Sequence, residues 1–133
     1  MKQTVLRLLV AMVLVAPACS DSTAPPEPGE IVVRLVSPNT GDAAAVVTLT
    51  APSGTTLGEF RAGADDHAMF HRTTGTTTRI AVFGPLTTGA VARFIVPDVR
   101  DIGQYVVQLV EVADENNVLR ESLTGYSVSV VRQ

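Results

Sequence analysis

From residue 30 onward, apolar and polar positions alternate with a period of two in short runs separated by Gly, Pro, Asn and Asp, which is how half-buried strands read. Ile31, Val33 and Leu35 share one face with Arg34 on the other, and Ser37-Pro38-Asn39-Thr40-Gly41-Asp42 then turns the chain. Ala45, Val47 and Leu49 against Val46, Thr48 and Thr50 make a second strand, stopped by Pro52-Ser53-Gly54. Residues 56–61 are a weaker candidate, followed by strands over 68–73 and 77–83, with a turn at Gly75 between them and Gly84-Pro85 ending the second. Residues 90–96 are apolar on both faces and predict a strand central in its sheet, closed by Pro97. Residues 105–112 repeat that two-sided pattern over a longer run, the best core strand of the chain. A polar turn at Asp114-Glu115-Asn116-Asn117, a short strand over 118–121 and a terminal strand over 126–130 complete the set.

Seven to nine strands at this spacing, with no amphipathic helical stretch, predict an all-β domain. It is expected to be a single antiparallel β-sandwich of jelly-roll or immunoglobulin-like type, with a small barrel as the rival. The hundred or so residues from 30 to 133 suffice for one hydrophobic core and not two.

The first thirty residues follow a different pattern. Lys2 and Arg7 precede an uninterrupted apolar run over 8–16, and small residues follow, the three-part layout of a secretory signal. The run is shorter than the roughly 20 residues a spanning helix needs. Ala16-Pro17-Ala18 satisfies ordinary signal cleavage, while the same residues before Cys19 resemble a bacterial lipobox, with Ala16 where Leu is usual. Cys19 is the only cysteine, and an exported lone thiol is exposed to oxidation unless it is chemically occupied. Residues 1–18 are therefore expected to be a lipoprotein signal peptide, cleaved between Ala18 and Cys19, with Cys19 acylated and anchoring the protein to a membrane. Ser20, where Asp would signal inner-membrane retention in bacterial lipoproteins, resembles outer-membrane sorting. Residues 19–29, with Pro25, Pro26 and Pro28, read as an extended tether.

Charge narrows the partners. The formal balance is −3, and removal of Lys2 and Arg7 with the signal makes it two units more negative. The remaining cations are all Arg, dispersed singly from Arg34 to Arg132, so the sequence offers no basic stripe for nucleic acid or anionic lipid. With no Trp, and with Tyr105 and Tyr126 on faces shared with Val or Leu, the flat aromatic platforms of polysaccharide binding are missing as well.

One cluster carries metal-ligand residue types. Asp65, His67, Met69 and His71 share a strand face, and two imidazoles with a carboxylate suit Zn or Cu. His67 and His71 on a regular strand stand about 13 Å apart, too far to share one ion without a bend, and a polar edge strand explains the same residues. Asp114-Glu115-Asn116-Asn117-Val118 begins like a calcium loop, yet Val118 takes a liganding place and no Gly follows, so it reads as a turn. Asp98 and Asp101 form a carboxylate pair in a loop, which is far more often solvated surface than an acid–base couple. No Gly-x-Ser-x-Gly elbow or phosphate-cradling glycine loop is present, so neither an enzyme nor a cofactor is expected.

In the second half, residues 79–83, 89–96 and 105–112, then Ala113-Asp114-Glu115-Asn116 and a Val-rich last strand, resemble the strand order of cohesin-type domains. In the first half Val47-Thr48-Leu49-Thr50-Ala51-Pro52 stands where those domains carry a strand running into a Tyr-Asp-Pro turn, without the Tyr and Asp. The resemblance covers about two thirds of the chain after the signal. It implies a jelly-roll sandwich of a kind that binds partner modules, and it carries over no docking residue. The overall layout is similar to that of short bacterial envelope lipoproteins. The expected function is thus a lipid-anchored, non-enzymatic binding or structural module at the cell envelope, with an envelope protein as partner. The alternative is a periplasmic metal-binding or hydrolytic protein using Asp65, His67 and His71.

Overall fold

The structure, a computed structural model, describes residues 24–133; Ala18, Cys19 and the apolar run before them lie outside the described residues. Eight strands form: β1 (Gly29–Val36), β2 (Asp42–Thr50), β3 (Gly58–Ala62), β4 (Ala68–Thr74), β5 (Thr77–Leu86), β6 (Gly89–Val96), β7 (Val106–Asp114) and β8 (Ser127–Arg132), with a 3₁₀ helix at Val99–Gln104. They make two antiparallel four-stranded sheets, a first in the order β3-β6-β1-β8 and a second in the order β4-β5-β2-β7. The expected sandwich is what forms, and the barrel does not, because the outer strands of one sheet are not hydrogen-bonded to those of the other. The arrangement β2-β5-β4 over β3-β6 matches B-E-D over C-F of an immunoglobulin constant sandwich. The flanking strands differ, since β1 lies beside β6 and β7 beside β2.

The alternation read from the sequence places the core. Ile31, Val33 and Leu35 from β1 and Ala92, Phe94 and Val96 from β6 meet Ala45, Val47 and Leu49 from β2 and Ile80 and Val82 from β5, all buried. Phe94 is its largest fully buried member, with ring centroids 5.6 Å from Phe60 and 6.1 Å from Tyr105. Each fully buried side chain of this size contributes about 1.5–3 kcal/mol.

Three expectations are corrected. Residues 105–112 do form a strand, but β7 is an edge strand paired only with β2. Its outward valines Val106 and Val110 remain 53% and 39% exposed, so the two-sided apolar pattern reflects an uncovered face and not a central position. The pairing with β2 is also bulged between Val46 and Val47, which twists the edge and blunts it against stray pairing. Gly84-Pro85 does not end β5; the two residues oppose Ala43 alone in a bulge, and the strand runs on to Leu86. Gly84 is required there, because its φ is 138° and an added Cβ would lie 2.7 Å from the Asp66 carbonyl oxygen. Residues 118–121 make a single bridge, Ala113 to Leu119, in place of a strand.

The two ends of the sandwich are built differently. At the near end, where β1 begins, Val99 N–H donates to the Glu27 carbonyl at 2.8 Å and Arg100 Nη2 donates to the Ala24 carbonyl at 3.3 Å. Asp98 caps the 3₁₀ helix, accepting from Arg100 N at 3.1 Å and Nε at 2.8 Å and from Glu27 N–H at 3.4 Å. The Arg100 hydrogen bond outweighs burial and holds the Asp98 carboxyl far below the usual range. At the far end the Asp42 side chain is fully buried and accepts from Ser37 Oγ at 2.6 Å, Tyr126 OH at 2.8 Å and Arg120 Nε at 2.8 Å. Burial pushes its pKa up, and those three donors with the Arg120 charge push it further down, leaving it below the ordinary value. This one carboxylate fastens the long connection between β7 and β8 to the sandwich.

Candidate interaction surface

The second sheet turns its other face to solvent, and cross-strand pairing lays that face out in rows. Ala68, Phe83, Ala44 and Ala113 form the row nearest the far end, extended by Leu119 through its bridge to Ala113. Phe70, Ala81, Val46 and Glu111 form the next. Arg72, Arg79, Thr48 and Gln108 form the third. Two rows are thus apolar except for one rim carboxylate, and the third is cationic on β4 and β5.

Phe70 is 67% exposed and Phe83 46% exposed, and their rings meet edge to face at 6.1 Å. Because alanines surround them, the rings stand proud of the sheet. Phe83 and Leu119 wall a shallow cleft of about 230 Å³ whose floor is Ala44, Val46 and Ala113, with Glu111 and Asn117 at its rim. Leu119 and Val118, 57% and 59% exposed, extend the apolar surface onto the far-end connection. Contiguous exposed apolar side chains of this kind make this face the candidate interaction surface among the described residues. Arg79 lies 3.9 Å from Glu111, so both ends of the polar boundary are loosely tied together.

The cluster Asp65, His67 and His71 is not brought together. His67 is buried beneath the β5 bulge, where its Nε2 lies 3.0 Å from the Pro85 carbonyl; a carbonyl only accepts, so Nε2 carries the proton. His67 Nδ1 is buried without a partner among the described residues. His71 stacks on Phe60 with centroids 4.4 Å apart, and Asp65 sits in the turn before β4, beside a polar depression lined by Glu30, Arg61 and Arg93. Among the described residues no three His, Cys, Asp or Glu side chains gather in a metal-holding group. The predicted alternation on β4 is nonetheless real, since Met69 packs on the core while Phe70 faces out.

Other candidate chemistry resolves into structure. Asp114 Oδ1 accepts from Asn116 N–H at 2.9 Å and Val118 N–H at 3.0 Å, with Asn117 at φ 62°, so the calcium-like stretch is the turn its sequence suggested. Asp98 is committed to Arg100. Tyr105 is buried and Tyr126 half-buried, as expected of core tyrosines. Sequence reasoning missed Phe70 and Phe83 as surface residues. The signal was present in their parity, because each shares a strand face with an arginine, Arg72 or Arg79.

No family model matches this chain, and comparison with curated proteins and with solved structures gives no match either.

Proposed function

We propose that this chain is an exported, lipid-anchored β-sandwich that works at the cell envelope as a non-enzymatic binding module, through the outer face of its second sheet. The observation that carries the binding reading is the exposed pair Phe70 and Phe83 over a floor of alanines. Anchoring is supported by the signal-like run, by the lipobox-like Ala16-Pro17-Ala18-Cys19 and by the lone thiol. The near-end bonds from Ala24 and Glu27 fit that reading, since they place the start of the domain opposite the end nearest the apolar rows.

A photo-crosslinking residue in place of Phe70, tested in cells, gives adducts, and the same residue in place of Arg34 on the first sheet gives none. Equal yields at the two positions, or none at either, defeat the binding reading. Replacing Cys19 by Ser moves the protein from the membrane fraction to the soluble one. Retention in the membrane fraction defeats the anchor.

A further inference from the structure

We infer that the partner seated on this face is a second copy of the same chain, packed across a two-fold axis that runs perpendicular to the strands between the two apolar rows. The inference rests on the binding reading above and names its occupant.

The observation behind it is an alternation of large and small side chains along each strand. On β4 the two rows carry Ala68 then Phe70, on β5 Phe83 then Ala81, and on β2 Ala44 then Val46. A two-fold axis between the rows exchanges them within each strand. Phe70 then lies over Ala68 of the second copy, Phe83 over Ala81, and Val46 over Ala44. Every protruding side chain meets a small one, as interdigitation of two sheets about 10 Å apart requires.

Charge obeys the same operation. Arg72 lies one row beyond the apolar pair in one direction, and Asp66, exposed in the turn two residues before Ala68, lies beyond it in the other. The axis places Arg72 of each copy against that turn of its mate, twice per dimer. An isologous contact must be self-complementary in this sense. An anionic bilayer suits the face poorly, because Asp66, Asp114 and Glu115 ring its far end.

Four strands about 4.8 Å apart and four rows about 6.8 Å apart give roughly 500 Å² per copy, or about 1,000 Å² in total. That lies at the lower end for specific association, so the dimer is reversible and concentration-dependent. The axis also sets the copies head to head, with their near ends pointing away from each other.

Sedimentation of the exported chain carrying Cys19→Ser, which has no acyl group, tests this between about 1 and 500 μM, the range a contact of this size calls for. The wild-type face gives a monomer–dimer equilibrium. Phe83→Ser and Phe70→Ser, with unchanged circular dichroism, each weaken it at least tenfold. Arg72→Asp and Asp66→Arg each weaken it several-fold, and the double variant recovers most of the loss. A monomer at every concentration, a dimer indifferent to Phe83→Ser, or a double variant no better than the singles overturns the second copy. In the crosslinking experiment, adducts at position 70 of a mass other than twice the chain, with a monomer in sedimentation, reject the second copy and leave the binding module standing. Absence of any adduct together with a monomer rejects both.

Discussion

The outer faces of the two sheets are finished in opposite ways. On the first sheet Glu30 is bonded by both Arg61 and Arg93, and Arg93 also donates to Gln133, so these three charges are answered within the chain. The Arg61 hydrogen bond, opposed by burial and joined by Arg93, holds the Glu30 carboxyl below its ordinary value. On the second sheet the corresponding rows carry Phe70, Phe83, Val46 and four alanines, with only Arg79 and Glu111 in loose contact at 3.9 Å. Both sheets use the same alternation to build one core, so the core does not explain the difference. Two phenylalanines left in water are the feature on which the proposed binding role rests.

The largest effect is expected from removing the support beneath the wall of the apolar face. Asp42→Ala leaves Arg120, Tyr126 and Ser37 without their shared acceptor and frees the connection that carries Leu119. Loss of one partner from a buried ion pair predicts a destabilisation of about 3 kcal/mol in urea unfolding. Next in size, Phe70→Ser with Phe83→Ser abolishes association and shifts unfolding by about 0.5 kcal/mol or less, since neither ring belongs to the core. Glu30→Gln on the first sheet does the reverse, costing about 1 kcal/mol of stability and leaving association intact. An equal effect of both changes on both measurements would erase the distinction between the faces.

Acid supplies a subtler test. Asp42 and Glu30 both have pKa values lowered in the folded state, so their contribution is full above the unfolded carboxylate pKa, about 4, and is lost as pH falls through the folded value. Thermal midpoints therefore decline below about pH 4, and Asp42→Asn flattens that decline by more than any substitution among Phe70, Phe83 and Leu119. The smallest expected effect is that of Arg34→Ala, an exposed side chain on the first sheet, which leaves stability and association unchanged within about 0.5 kcal/mol.

The sandwich was legible because β1, β2, β5 and β6 alternate strictly and bury what the alternation says they bury. Sheet position was less legible. The valines of β7 look like those of a central strand, and only the neighbour across the sheet decides whether Val106 and Val110 are covered. Gly84-Pro85 carries the composition of a stop and acts as a bulge, because the Asp66–His67 backbone packs against it from a turn seventeen residues earlier. The surface was hidden for a related reason. The ligand-type residues His67 and His71 have the parity of the inward side of β4, and Phe70 on the outward side gains meaning only through Ala81 and Phe83, which pairing lines up beside it.

The near-end fastening of residues 24–28 has a mechanical consequence. β1 begins directly after it and lies between β6 and β8, bonded to both along most of its length. Tension applied along β1 through the N-terminal segment first meets the Val99–Glu27 bond and the Asp98–Arg100 clasp, and then drags β1 lengthwise against two neighbours at once. Rows of hydrogen bonds strained in parallel yield together, whereas a peeled strand gives them up one by one. A molecule pulled from this terminus along β1 therefore resists at the unfolding barrier of its most enclosed strand.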